Sequence, residues 1–196
     1  MRSSVKVGVV GCGRIATAVH MPALKRIQGY DLAAASDLNQ ARLEEVKEKF
    51  GVNQTYDDYR RMLAKADIDA VFVCTPPEHH FQVVMDALEW EKQVLCEKPL
   101  ASTLEQALTI KKTYEMQCKS TEQQLFLMPA HNFIFTPCFV EAVKGVEEGE
   151  IGKLMKINAC ITTNLQFYGA KTDFRNQAKC GVLEDLFPHL IYLVQR

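Results

Sequence analysis

Gly11-Cys12-Gly13-Arg14-Ile15-Ala16 is a G-x-G-x-x-A run lying between the apolar stretch Val5–Val10 and a helix-period stretch. In that context the spacing has a mechanism. Gly11 permits a tight turn, Gly13 lets the backbone approach a pyrophosphate, and Ala16 lets the helix pack closely on the strand. Phosphates then sit at the helix N-terminus, around Arg14 and Ile15, where unpaired N–H groups and the dipole favour negative charge. An ordinary strand-to-helix turn is the alternative use of the same residues. Asp37 ends the next apolar run, 24 residues after Gly13, near the position of an acid that accepts hydrogen bonds from an adenosine ribose. A carboxylate there repels a 2′-phosphate, so NAD is favoured over NADP, although Arg42 could reach the same edge. The alternative for Asp37 is a plain N-cap of the helix beginning at Asn39.

Two further segments lie where ligands of open α/β sheets bind, beyond the carboxyl ends of strands. Thr75-Pro76-Pro77-Glu78-His79-His80 follows the run Ala70–Cys74, and Glu97-Lys98-Pro99-Leu100-Ala101 follows Gln93–Cys96. For Lys98 a solvated surface lysine is the ordinary alternative. His80 has two readings of similar weight, a place near the nicotinamide ribose and a packing or capping role.

The elements that must position these residues alternate along the chain. Strands are predicted at Val5–Val10, Asp31–Ser36, Ala70–Cys74, Gln93–Cys96 and Leu125–Met128. Helices are predicted at Arg14–Ile27, Asn39–Phe50, Asp57–Ala64, His79–Trp90 and Thr103–Tyr114. Such alternation predicts an α/β fold, a Rossmann-type doubly wound parallel sheet with helices on both faces. Ser102-Thr103-Leu104-Glu105 offers a hydroxyl cap with a carboxylate close behind it, and Leu104, Ala107 and Leu108 recur on one face. After Pro129 the pattern changes to a helix at Thr136–Glu148, an alternating strand-like run at Leu154–Thr163, a loop from Asn164 to Cys180 and a helix opening at Gly181. The expected division is a dinucleotide-binding domain over residues 1–128 and the beginning of an α/β substrate domain over 129–196.

Composition excludes several alternatives. With 47% hydrophobic and 24% charged residues the chain can fill a core. Lys and Arg together number 23 against 24 Asp and Glu, so nucleic acid is not the expected partner. The apolar run at the start is too short for a secretory signal, and no run approaches the roughly 18 residues of a membrane span. A soluble cytoplasmic protein is expected, with no membrane partner. Seven cysteines with no C-x-x-C pair suit reduced thiols, and no metal site is expected. Cys74 and Cys96 end strand-like runs, as small buried hydrophobes do.

The ordered set of motifs resembles the Gfo/Idh/MocA family, the glucose-fructose oxidoreductase and inositol dehydrogenase group. Gly11–Ala16 with His20 and Pro22-Ala23-Leu24 is similar to the family's first turn and helix, and Thr75-Pro76 with His80 to its loop under the cofactor. Glu97-Lys98-Pro99 is similar to its most diagnostic tripeptide, and Gly181-Val182-Leu183-Glu184-Asp185-Leu186-Phe187-Pro188-His189 to its glycine-rich D-x-x-x-H segment. The resemblance implies a nicotinamide oxidoreductase acting on a sugar, polyol or nucleotide-sugar hydroxyl, with Lys98, Asp185 and His189 around the substrate and a cis bond before Pro99. Oxidising a secondary alcohol removes a hydride from carbon and a proton from oxygen, so one group must take that proton and another must steady the alkoxide. His189 suits the general acid/base role, Lys98 the hydrogen-bond donor to the reacting oxygen, and Asp185 the positioning of substrate or lysine. Positions 185 and 189 share a face if the stretch is helical, but Pro188 suits a helix only near its start, which would leave Asp185 before the first turn.

Departures from the family pattern also matter. Arginine is usual near Ile134, more glycine where Lys179-Cys180 stand, glycine at Phe187 and an acid at Tyr192. Asn132 and Arg175 are candidate replacements for the lost substrate contacts. Family members continue well past His189 through a sheet that walls the substrate site and forms the subunit interface. A homo-oligomer is therefore expected if the second domain is completed, and Leu190–Val194 is expected to expose an apolar face. Two rival functions follow: glycoside cleavage assisted by transient NAD reduction, and a cofactor-binding sensor or interaction protein that has lost the reaction.

Overall fold

The computed structural model describes residues 4–120, 124–162 and 182–195, which fall into two compact units, Met1–Ala130 and His131–Arg196. The first unit alternates strands β1 (Val5–Val10), β2 (Tyr30–Ser36), β3 (Gln54–Tyr56), β4 (Ala70–Val73), β5 (Gln93–Cys96) and β6 (Leu127–Pro129) with helices. All neighbours pair in parallel, in the order β3-β2-β1-β4-β5-β6. Crossover helices cover both faces, and each face has its own core. Val7, Val9, Leu32 and Ala35 pack with Leu43 and Val46 on one side, and Val10, Ala34, Val71 and Val73 with Val84 and Leu88 on the other. Strands buried on two sides need continuous apolar runs, which is why Val71-Phe72-Val73 has no polar alternation.

The helices start where the sequence offers caps. The Asn39 side chain accepts from the Ala41 N–H at 2.9 Å to start α2 (Gln40–Phe50), and Asp58 accepts from the Arg60 N–H at 2.8 Å to start α3 (Tyr59–Lys65). The cap of α5 (Leu104–Ser120) uses Gln106 besides the expected Glu105, whose carboxyl is held below its usual range by hydrogen bonds from its own N–H and from Thr103. Thr103 Oγ1 accepts from the Gln106 N–H at 3.3 Å, while Gln106 Oε1 accepts from the Ser102 N–H at 3.2 Å. Leu104 and Leu108 are exposed, and Ile110 is the buried residue of this helix. The first helix contains a π turn at Ala16–His20 that runs into α1 (Met21–Arg26), and α4 (Pro77–Glu89) starts two residues before the expected position.

Strand β3 escaped prediction because Gln-Thr-Tyr carries no apolar period and exists only by pairing with β2. The opposite error occurs at Leu154–Thr163, where the described residues 154–162 form no strand and are mostly exposed. Alternation permits a strand, but a strand needs a neighbour to satisfy its backbone groups, and the described residues supply none. The second unit holds a 3₁₀ turn at Asn132–Phe135, α6 (Pro137–Glu147) and α7 (Val182–Gln195). Helix α7 runs through Pro188, so Asp185 does not precede the helix. The missing Pro188 N–H costs one helical bond, while burial of His189 and Tyr192 holds the inner face in place. The opposite face leaves Leu183, Phe187, Ile191 and Val194 exposed. No helix among the described residues is long and apolar enough to cross a membrane.

Candidate cofactor and substrate site

Parallel register aligns the carboxyl ends of the central strands. Val10 lies opposite Ser36 and Val73, and Val73 lies opposite Cys96. Asp37, Gly11, Cys74 and Glu97 therefore follow one another along a single edge of the sheet. The strand order reverses direction between β1 and β4, the place where open α/β sheets bind their ligands.

At that switch point Gly11 has φ +90°, and a Cβ there would stand 2.8 Å from the Cys74 carbonyl group and the Thr75 nitrogen. Only glycine lets the turn after β1 cross the end of β4. Gly13, by contrast, has nothing within 4 Å of the position a Cβ would take, which leaves its backbone open to an approaching group. Arg14 and Ile15 open the helix and are exposed. Asp37 Oδ2 accepts from the Cys12 N–H at 2.8 Å, and Oδ1 accepts from the Asn39 N–H at 2.8 Å. Arg42 comes within 3.5 Å of the same carboxylate, whose side chain is only 8% exposed. Burial, followed by the charge of Asp37, pushes the Cys12 thiol up to about 12.

Thr75 Oγ1 is buried at this edge with no hydrogen-bond partner among the described residues. An orphaned hydroxyl beside an open glycine turn fits a polar ligand laid across the strand ends. Pro76 is exposed and precedes α4. His80 is fully buried, with Nδ1 2.7 Å from the Pro99 carbonyl oxygen and Nε2 2.8 Å from that of Thr75. Both ring nitrogens face backbone, which places His80 under the loops and not at the open surface of the cleft.

Glu97 Oε1 lies 2.6 Å from His20 Nε2, tying the first helix to the end of β5, and Oε2 accepts from the Lys98 N–H at 3.3 Å. The His20 and Phe72 rings meet in a T-shaped contact, with centroids 5.7 Å apart. The Lys98–Pro99 peptide is cis, as the resemblance implies, and Lys98 is half-buried.

In the second unit, α7 carries Asp185 and His189 four residues apart. His189 is 7% exposed, its Nδ1 2.5 Å from the Tyr192 hydroxyl. That hydroxyl also receives the Phe133 N–H at 3.4 Å and reaches Asn132 Oδ1 at 3.5 Å. The Phe133 ring stacks on His189 and the His131 ring on Tyr192. Burial holds the His131 imidazole below its usual range. Asn132 is thereby joined to His189 through Tyr192, a residue that sequence reading marked only as a departure. Arg175 and the loop from 164 to 180 lie outside the described residues. The His20–Glu97 pairing carried no sequence signal, spanning 77 residues, whereas Tyr192 and His189 stand three apart on one helix, a spacing that could have found their contact.

Known proteins share this fold and part of this sequence. Residues 5–122 match the family described as "Oxidoreductase family, NAD-binding Rossmann fold". Myo-inositol 2-dehydrogenase of Thermotoga maritima is 34% identical over 149 residues, covering 76% of this chain and 42% of that protein. The crystal structure of myo-inositol 2-dehydrogenase from Lactobacillus plantarum superposes with a TM-score of 0.83 at 27% identity, covering 98% of this chain and 56% of that one. Scyllo-inositol dehydrogenase from Lactobacillus casei, solved with NAD(H) and scyllo-inositol bound, gives 0.71 at 29% identity over 76% of this chain and 42% of that one. The chain spans about half the length of the curated relatives it matches. With its glycine turn, ordered β strands and matched sequence, the chain belongs to the Gfo/Idh/MocA oxidoreductase family, whose NAD-binding domain is a Rossmann fold.

Proposed function

We propose that this chain is the cofactor domain and the beginning of the substrate domain of an NAD-dependent dehydrogenase acting on a sugar, polyol or nucleotide-sugar hydroxyl. The observation that carries the reading is the union of Asp37 with the glycine turn through the Cys12 N–H. It joins an acceptor carboxylate to an open glycine turn at one strand edge, beside the orphaned Thr75 hydroxyl, the chemistry a ribose and a pyrophosphate require. The substrate class rests on the inositol dehydrogenases among the relatives.

In this reading Gly11, Gly13, Arg14 and Ile15 take the pyrophosphate, Asp37 the adenosine ribose, and Thr75, Pro76, Glu97 and Lys98 the nicotinamide end. NAD, when bound, supplies the hydride acceptor. Lys98 donates to the substrate oxygen and stabilises the alkoxide, while His189 takes the hydroxyl proton. Asp185 and Asn132 orient the substrate, as would Arg175. Residues 129–196 open the substrate domain, and the completed protein is a cytoplasmic homo-oligomer.

Calorimetric titration of the purified chain with NAD and NADP, followed by a sugar and polyol screen for NADH formation, tests this. Binding of NAD with turnover supports the whole reading. NAD binding without turnover limits it to the cofactor domain, glycoside cleavage without accumulating NADH replaces the substrate chemistry, and no binding of either nucleotide overturns it.

A further inference from the structure

His80 is fully enclosed at the start of α4. Its two ring nitrogens lie 2.7 and 2.8 Å from the carbonyl oxygens of Pro99 and Thr75. A carbonyl can only accept a hydrogen bond, and a neutral imidazole has one N–H and one lone pair. With a neutral ring, one of these contacts would set lone pair against lone pair where water cannot intervene. Turning the ring over would replace both contacts by C–H groups and leave both carbonyls without the ring as donor. Only the imidazolium donates to both.

We infer that His80 is a buried imidazolium that pins the Thr75–Pro76 loop to the Lys98–Pro99 loop and so acts as a positioning residue for the cofactor cleft. This positioning role rests on the NAD reading above; the protonation state does not. The two loops end adjacent strands β4 and β5 and hold the orphaned Thr75 hydroxyl and the half-buried Lys98. A neutral ring would hold one loop and repel the other.

The electrostatic surroundings pull in both directions. The N-terminal end of α4 disfavours a cation at its fourth residue, and Lys98 adds positive charge nearby in the chain. Against these stand two carbonyl dipoles aimed at the ring and the Glu97 carboxylate, whose field reaches both Cys74 and Cys96 at the ends of the two strands. Those thiols are kept neutral by burial and contribute no charge of their own. On α4 itself Glu78 and His79 are exposed, and on α5 so are Glu105, Lys111, Lys112 and Glu115, where solvent screens them.

Long-range proton–nitrogen correlation spectra of the ¹⁵N-labelled chain decide the protonation state, with the His80 signals assigned by their loss in His80→Gln. Two protonated ring nitrogens at neutral pH are expected, and one bare nitrogen overturns the imidazolium. The positioning role is read in His80→Leu, whose side chain donates to neither carbonyl. Roughly tenfold weaker NAD binding at unchanged circular dichroism is expected, whereas wild-type affinity overturns it. If the variant does not fold, the spectrum of the wild-type chain, assigned by a His79→Gln control and through-bond connectivity, still decides the inference. Failure of the wild-type chain to bind NAD would sink the positioning role together with the NAD reading, and leave the spectral result standing on its own.

Discussion

The Asp37 carboxylate accepts a hydrogen bond from the Cys12 N–H at 2.8 Å, so the acid that ends β2 and the glycine turn that follows β1 are one structural unit. Arg42 lies 3.5 Å from the same carboxylate. In the proposed reading Asp37→Asn removes the charge that repels a 2′-phosphate, and it keeps one of the two oxygens that accept from the Cys12 and Asn39 N–H groups. The expected outcome is a loss of about 1.5–3 kcal/mol in NAD binding, roughly tenfold or more, with a gain for NADP. Arg42→Ala is expected to sharpen the preference for NAD. Parallel titrations with both nucleotides check the two variants, and an unchanged NAD to NADP ratio in both would refute the assignment.

The two glycines of the turn should separate stability from binding. A methyl group at Gly11 meets backbone atoms at 2.8 Å in a left-handed conformation, so Gly11→Ala is expected to cost about 1–3 kcal/mol and to lower the melting temperature by several degrees. At Gly13 the methyl group meets nothing within 4 Å. Gly13→Ala is therefore expected to melt like the wild type and to bind NAD less tightly, because the added methyl occupies the space a pyrophosphate needs. Thermal melts with and without NAD distinguish the two.

Lys98→Ala is expected to abolish turnover while leaving NADH binding largely intact. In the proposed reading the ammonium serves the reacting oxygen, and Gly11, Gly13 and Asp37, not Lys98, carry most of the cofactor's binding. Equal loss of both activities would show that Lys98 holds the cofactor and does not serve the chemical step.

Tyr192→Phe deletes the hydroxyl that lies 2.5 Å from His189 Nδ1 and keeps the ring stacked on His131. A partner at Nδ1 fixes which nitrogen of the imidazole carries the proton. Loss of about 1–1.5 kcal/mol of transition-state stabilisation is expected, seen as a roughly tenfold lower kcat with an unchanged Kd for NAD. An unaltered kcat would separate Tyr192 from the role proposed for His189.

Alkaline unfolding should report the buried thiols. The Cys12 thiol is raised from 9.0 to about 12, first by burial and then by Asp37. A raised thiol keeps its proton longer in the folded chain than in the unfolded one. Its stabilising contribution is complete below about pH 9 and is lost as pH rises toward about 12. Cys74 and Cys96, also raised by burial, act in the same direction. Urea unfolding at a series of alkaline pH values should show falling stability, with a shallower fall in Cys12→Ala.

Much of this protein was legible in its residue order because the relevant constraints are local. A turn that crosses another strand needs glycine at Gly11, a doubly covered strand needs a run such as Val71-Phe72-Val73, and the ends of parallel strands gather Asp37, Thr75 and Glu97 at one edge. Tertiary structure was needed wherever the cause lay in a partner far along the chain. Strand β3 forms on an existing β2, residues 154–162 form none without a neighbour, and the α7 helix continues through Pro188 while its inner face is buried. The same holds for side chains: His20 meets Glu97 across 77 residues, Tyr192 joins Asn132 to His189, and His80 is enclosed between two carbonyls from separate loops. Spacing along the chain fixes which residues can share a turn or a face, but the identity of a hydrogen-bond partner is set by the register of strands and helices that meet only after folding.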